Sequence, residues 1–370
     1  MSIWIIIVSV VLLFSALGAV YLTSQIGRFG VIRTLAGENK WKRRGLSFLI
    51  VVAGFVTMLL VFNLVNAFLI LIHTVAFFLL GRFVVYIIKI IRGKDISSKK
   101  NLAGWGAILY TIVYLAAGYY LCNNVWQTDY QLSTDKSIGE LKVAMFADSH
   151  IGSTFGGEGF AKQMEVIMAA EPDIVLIPGD YVDDDTSKED MIASCAALGR
   201  MKPKYGVWFA YGNHDKGYFG SQYNEFSSDE LEQELKKNGV HVMEDAVETV
   251  DNLVIVGRKD SSRNRDRKEL SELLQGVDES KYIIVMDHEP NDYEKESQTT
   301  ADLVVSGHTH GGQLLPVTYF GVWFGINDSI YGYEKRNQTD FIVTSGISDW
   351  QMLFKTGTKS EYVMIDVKGK

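Results

Sequence analysis

The sequence predicts an α-helical transmembrane region of four spans followed by a separate α/β domain. Three observations carry this expectation. Charge divides sharply along the 370 residues: residues 1–123 hold twelve Lys/Arg against two acids, a net of +10, whereas the remainder holds 24 against 42, a net of −18. Long apolar runs crowd the first part, each near the ~20 residues that a helix needs to cross the hydrocarbon core. Beyond residue 140, short apolar runs alternate with helix-like segments and end in clusters of Asp, Asn and His. With 47% hydrophobic residues and two Cys, a disordered chain, a collagenous repeat and a disulfide-built mini-protein are excluded. Nucleic acid is not an expected partner, because phosphate backbones are held mainly by Lys and Arg and the second part is acidic.

Residues 1–123 are read as a membrane domain with helices at about 2–23, 46–62, 67–91 and 102–121. The first run could contain a signal-peptide cleavage site among the small residues Ser15 to Ala19, but the positive charge that precedes such peptides is missing. It is therefore expected to remain as a span. From Leu46 to Ile91 only Arg82 and Lys89 are charged, and 46 residues are too many for one crossing. Two spans fit, turning near Asn63 and Asn66. The fourth carries Trp105, Tyr119 and Tyr120 near its ends, where amphipathic rings favour the headgroup region. Gln25 to Gly45 and Arg92 to Asn101 are strongly basic, which places both in the cytoplasm. Four crossings then put the chain after Leu121 on the outer face of a cell membrane. The acidic domain is expected to be extracytoplasmic; a domain turned inward is the rival arrangement. His73, inside the third span, is expected to be neutral and bonded to a neighbouring helix.

Residues 124–140 read as a polar linker and 141–370 as the folded domain. Buried strands are expected at Leu141 to Phe146, Asp173 to Ile177, Gly206 to Ala210, Leu253 to Val256, Tyr282 to Met286, Leu303 to Val305, Phe341 to Thr344 and Tyr362 to Ile365. Helices are expected at Gly159 to Ala170, Ser187 to Gly199, Ser228 to Lys237 and Lys268 to Leu274.

The strand ends are where the chemistry gathers. They are followed by Asp148, Ser149 and His150; by Gly179, Asp180, Tyr181, Val182 and Asp183; by Gly212, Asn213, His214 and Asp215; by Asp287 and His288; and by Gly307, His308, Thr309 and His310. In open α/β sheets ligands collect beyond the carboxyl ends of the strands. Five of the seven His sit there, leaving only His73 and His241 elsewhere. An Asp/His/Asn set without thiolate suits Mn, Fe, Zn or Ni, whereas a structural zinc site would usually recruit Cys. Cys195 reads as a small buried side chain. Cys122 lies at a membrane boundary, and a disulfide between the two has no positive support.

The ordered blocks DSH, GDYVD, GNHD, His288 and GHTH resemble the calcineurin-like metallophosphoesterases, over roughly Leu141 to the C-terminus. The run Gly307 to Gln313, GHTHGGQ, is similar to a bacterial membrane-attached subgroup that includes enzymes acting on lipid-linked phosphoesters. The resemblance implies a four-layer α/β/β/α sandwich with two mixed sheets and two divalent metals at its rim. Asp148, His150 and His310 would hold one metal; Asn213, His288 and His308 the second; Asp180 would bridge them. His214 would serve as acid or phosphate-binding group, with Asp183 orienting it. Asp215, where many members have Glu, would have a supporting role at most.

A two-metal site can activate a bridging water and clamp both oxygens of an in-line phosphoryl displacement. Two divalent ions, two ligand carboxylates and one hydroxide leave the rim about +1, so it attracts phosphate although the domain is acidic. The expected function is hydrolysis of a phosphate mono- or diester, with a lipid or envelope precursor suggested by location. A metal-binding membrane scaffold or sensor is the alternative. Arg258 to Lys268, with six basic residues, could meet anionic headgroups or be a solvated loop. Tyr319, Phe320, Trp323 and Phe324 could wall an apolar groove or pack beneath a loop. The leaving group and the oligomeric state are left open.

Overall fold

A computed structural model describes residues 3–93, 101–219, 225–262, 266–315 and 317–370. Most of the second basic loop, and Arg263 and Arg265, lie outside the described residues. The chain divides into two units, Met1–Gly118 and Tyr119–Lys370.

In the first unit, helices α1 (Ile3–Ile26), α3 (Lys40–Val61) and α4 (Leu64–Arg92) are joined by α5 (Leu102–Asn123), whose last turn belongs to the second unit. All four are long and apolar enough to cross a bilayer. A short helix, α2 (Gly30–Ala36), occupies the segment read as a basic loop, burying Ala36 and placing Ile32 in a cluster that includes Leu22, Phe29 and Phe78. Lys40, Lys42, Arg43 and Arg44 form the start of α3 rather than a loop, with Asn39 capping the Trp41 and Lys42 N–H groups. Asn63 caps α4, its Oδ1 accepting from both the backbone N–H and the side-chain amide of Asn66 at 2.8 Å. That cap converts one long apolar run into two helices. The His73 hydrogen bond lies within its own helix, Nδ1 being 2.8 Å from Leu69 O. Its ring stacks 5.7 Å from Tyr114.

The second unit is built on two six-stranded mixed sheets. One runs in the order β1 (Val125–Ser133), β12 (Ser360–Lys368), β2 (Glu140–Met145), β3 (Ile174–Pro178), β4 (Val207–Ala210), β5 (Val240–Met243). The other runs β10 (Gly332–Arg336), β11 (Thr339–Val343), β9 (Leu303–Ser306), β8 (Tyr282–Met286), β7 (Leu253–Gly257), β6 (Ala246–Val250). Side chains alternate across each strand. Val143 and Met145 of β2 face the second sheet, joining Trp208, Ile255, Ile284, Met286 and Val305 in the central core. Ala144 and Phe146 face outward, under α6 (Gly157–Ala169), α7 (Lys188–Arg200) and α8 (Ser228–Lys237), beside Phe160, Leu198 and Leu231. On the far face, Val254, Ile283 and Val285 pack with Leu270 of α9 (Leu270–Leu273) and Tyr293 of α10 (Tyr293–Glu296). These are the four layers of the expected sandwich.

Residues 124–140 are not a linker throughout, because Val125–Ser133 is β1, paired parallel with β12. As an edge strand it leaves Gln127, Asp129 and Gln131 in solvent, which gives it the polar composition of a linker. Strand β5, at the other edge of that sheet, lies outside the expected set too, as do β6 and β10 at the edges of the second sheet. The latter two each form a hairpin through a two-residue turn, Asp251–Asn252 and Asn337–Gln338. Asp251 and Asn337 take positive φ there, of 48° and 53°, as such turns require.

Candidate metal centre

Strands β2, β3 and β4 are parallel neighbours in one sheet, and β8, β9 and β11 in the other. Their carboxyl ends therefore open on one rim, which collects all seven ligand candidates. Asp148, His150, Asp180, His308 and His310 all have positive φ, between 36° and 70°. Non-Gly residues in that region store strain, of order 1–3 kcal/mol each, and five together mark a place where side-chain direction outranks backbone comfort. Asp, Asn and His tolerate it best.

Two groups form. The ligand atoms of Asp148, His150 and His310 lie within 4.8 Å of one another, and so do those of Asp180, His288 and His308. Asp180 Oδ2 joins them, 3.7 Å from His150 Nε2 and 3.2 Å from His288 Nε2. Asn213 Oδ1 lies 3.2 Å from His288 Nε2 and 3.0 Å from His308 Nδ1. The His308 N–H donates to Asp148 Oδ1 at 2.9 Å, which ties the two groups through the backbone.

Tautomers follow from the neighbours. His288 Nδ1–H donates to Pro178 O at 2.8 Å, so its Nε2 presents a lone pair toward the Asp180 carboxylate. His150 Nδ1–H donates to Asp183 Oδ2 at 3.2 Å, and its wholly buried Nε2 has no hydrogen-bond partner among the described residues. Bare nitrogens facing a carboxylate repel it unless a positive charge lies between them. Burial opposes a proton on either ring, yet Asp183 and Asp180 raise His150 to a pKa of about 9, and Asp180 holds His288 well above the usual imidazole range. Divalent cations between them would supply that positive charge. The donors fit such ions: imidazole, carboxylate and amide, with no thiolate.

The Asp183 carboxylate hydrogen-bonds His150, a ligand candidate, while its charge also acts on His214. Sequence neighbours in separate blocks cannot reveal which ring a carboxylate will reach. His214 instead has its ring stacked on Tyr218 at 4.5 Å and close to Trp350 at 4.8 Å. Its backbone N–H donates to Asp180 Oδ1 at 2.8 Å. Burial lowers its pKa to about 3, partly offset by Asp180, so the ring is neutral.

A profile of the family described as Calcineurin-like phosphoesterase matches residues 141–312. An uncharacterized metallophosphoesterase of Aquifex aeolicus is 30% identical over 238 residues, 62% of this chain and 86% of that protein. The chain belongs to the calcineurin-like metallophosphoesterases. A zebrafish transmembrane protein with metallophosphoesterase domain is 28% identical over 245 residues, 63% of this chain but only 54% of the relative's length. A dimetal phosphatase structure from Danio rerio aligns over 55% of this chain and 86% of its own at 12% identity and a TM-score of 0.36, too weak a likeness to bear on activity.

Two further acids of this metallophosphoesterase support the centre, Asp215, which the sequence marks, and Asp349, which it does not. Asp215, given a supporting role at most, is fully buried and accepts the backbone N–H groups of Asp180, Tyr181, Val182 and Gly212 at 2.7–3.1 Å. It shapes the loop that presents Asp180. Burial and the Asp180 charge raise its pKa to about 7, against the Gly212 and Val182 N–H donors. Asp349 lies beyond β11, the sixth strand opening on the rim, and its Oδ1 is 3.0 Å from His310 Nδ1. Its other oxygen accepts from Cys122 Sγ at 3.1 Å and pairs with the buried Lys355 ammonium at 3.4 Å. The signal was present in Ser345 to Asp349, a polar cluster after an apolar strand like the other five. Asp349→Asn is expected to weaken one Mn site by about 10–100-fold and leave the other unchanged, read by calorimetric titration.

Of the basic run, Lys268 is exposed, but the leading residue differs from both expectations. Arg258 faces neither headgroups nor solvent: it is buried, with Nη1 2.8 Å from Asp287, 3.1 Å from Asp292 and 2.9 Å from Glu296. Arg267 also pairs with Asp287. Tyr319, Phe320, Trp323 and Phe324 do not pack beneath a loop; all four are exposed.

Proposed function

We propose that this protein hydrolyses a phosphate mono- or diester at a two-metal centre held by Asp148, His150 and His310 on one side, Asn213, His288 and His308 on the other, and Asp180 between them. The observation that carries the reading is the position of Asp180 Oδ2, within 3.7 Å of an imidazole nitrogen from each group. Two divalent cations there would supply Lewis acidity for the phosphoryl oxygens and make water nucleophilic at neutral pH. The chain's own residues do the rest. Asp183 and Pro178 O fix the tautomers of His150 and His288, so that both present Nε2 to the centre. Asp215 holds the Asp180 loop. His214 stands beside the cluster, its ring 4.9 Å from that of His150, as a neutral hydrogen-bond donor for a phosphoryl or leaving-group oxygen.

The four apolar helices are read as spans of a cell membrane, which keep the centre near the bilayer and favour a lipid-linked or envelope-precursor phosphoester. The basic start of α3 favours a cytoplasmic location for that end and an extracytoplasmic one for the second unit. Asp129 is exposed on β1, whereas Cys122 and Cys195 are buried. An Asp129→Cys variant should therefore react with a membrane-impermeant maleimide on intact cells, and protection until lysis would turn the domain inward. The full chain in detergent with added Mn should cleave an aryl phosphate or a bis-aryl phosphodiester and lose the activity on chelation. Metal-loaded protein inert on both, and on a panel of lipid phosphoesters, would remove the catalytic reading.

A further inference from the structure

A run of apolar side chains stands in solvent close to the metal centre. It begins five residues after His310 with Leu315 and continues through the 3₁₀ turn Val317–Tyr319 and the one-turn helix α11 (Phe320–Trp323) to Phe324 and Ile326. Trp323 is 67% exposed, Phe324 72% and Ile326 65%. Phe320 packs with Trp323 and with Phe324, ring centroids 5.7 Å apart in both pairs, and Tyr319 stacks on Trp323 at 6.1 Å, so the rings form one continuous apolar surface. Soluble monomers rarely leave such a contiguous patch in water.

The turn beneath the patch is firmly held. Thr318 is buried against Gly312 and Gly357, and a Cβ on either glycine would come within 2.3 Å and 2.7 Å of Thr318 atoms. Gly312 also has φ +70°. Both glycines let Thr318 seat, and its neighbours then point outward.

What lies beside this turn decides the occupant. The N–H groups of Thr356 and Gly357 donate to Gln313 O at 2.9 and 3.2 Å, Gln313 Nε2 donates to Phe354 O at 3.2 Å, and the Leu315 N–H donates to Thr356 Oγ1 at 3.1 Å. The same Leu353–Phe354 segment meets the last turn of α5. The Phe354 ring lies 6.0 Å from that of Tyr119, and Asn123 Nδ2 donates to Leu353 O at 3.5 Å. On β1, Trp126 meets Tyr120 at 6.1 Å, with Lys359 Nζ 5.8 Å from the Trp126 ring centre. The end of the fourth apolar helix, a belt of Tyr, Trp and Lys, and the exposed patch are thus joined through one short segment. Aromatic rings and Lys are the residues that favour a membrane–water interface.

We propose that Leu315, Tyr319, Phe320, Trp323, Phe324 and Ile326 form a membrane-docking surface that enters the headgroup and acyl boundary of the bilayer, holding the rim near His310 at the lipid surface. The inference rests on the reading of the four apolar helices as spans. It makes the protein both transmembrane and interfacially docked, so that a phosphoester reaches the centre without leaving the lipid surface.

Because both native Cys are buried, an environment-sensitive fluorophore can be placed selectively by Trp323→Cys or Phe324→Cys, with Asp229→Cys on α8 as a water-facing control. The full chain is reconstituted in phosphatidylcholine and phosphatidylglycerol vesicles with brominated acyl chains. Labels at 323 and 324 are expected to be quenched about two-fold or more by the brominated lipid and shielded from aqueous iodide, as for a group ~5–10 Å inside the interface, with the reverse at 229. Iodide access at 323 and 324 equal to that at 229 would overturn the docking. So would shielding from iodide without lipid quenching, which would mean a second copy covers the patch. Protein that fails to float with the vesicles would instead sink the membrane reading itself. Quenching needs no turnover, so the result is independent of catalysis.

Discussion

Asp180→Asn is expected to cut phosphoester hydrolysis on the order of 10³-fold or more while leaving the fold intact, the loss associated with removing a charge-stabilising group from the reacting centre. Asn keeps one oxygen and the shape but loses the charge that faces His150 and His288 at once. Metal content should fall from two ions per chain toward one or fewer, read by elemental analysis after gel filtration. Retained acceptance of the His214 N–H by the amide oxygen would keep the GNHD loop in place, so circular dichroism should be unchanged. Full activity with two ions bound would remove Asp180 from the centre.

Arg258→Met is expected to lower stability by about 3–5 kcal/mol, because it leaves buried acids without their counter-charge. Arg258 is 2% exposed, and its guanidinium touches Asp287, Asp292 and Glu296. Burial and the neighbouring Asp287 charge already hold the Glu296 carboxyl well above the usual range, with Arg258 opposing them. Thermal unfolding of the full chain should shift down by about 10 °C, given 2–4 °C per kcal/mol for a unit of this size. A shift below about 2 °C would show that Arg267, which also pairs with Asp287, suffices. Asp287 directly precedes His288, so the same variant should loosen that side of the centre.

Legibility followed burial. Strands buried on both faces, such as β3 and β8, are unbroken apolar runs, and the polar residues after them can hardly be anything but rim residues. The seven ligand candidates were readable for that reason. Strands β1, β6 and β10 at sheet edges carry the polar residues of exposed faces, and only their turn chemistry marks two of them. Contacts between blocks were not readable. Asp183 sits three residues from Asp180 and 31 from His214, yet reaches back to His150, because the loops after adjacent strands β2 and β3 lie side by side. The Arg258 run shows the same limit: composition alone cannot separate a solvated basic loop from one whose leading arginine is buried among acids contributed by the region around α10.

The central claim is that one rim holds two cations that share Asp180. Crystals of the full chain grown with Mn, measured for anomalous scattering, test it most directly. Two peaks are expected, one within ligand distance of Asp148, His150 and His310, the other of Asn213, His288 and His308, both touching Asp180. A single peak, or a pair bound away from Asp180, would contradict it.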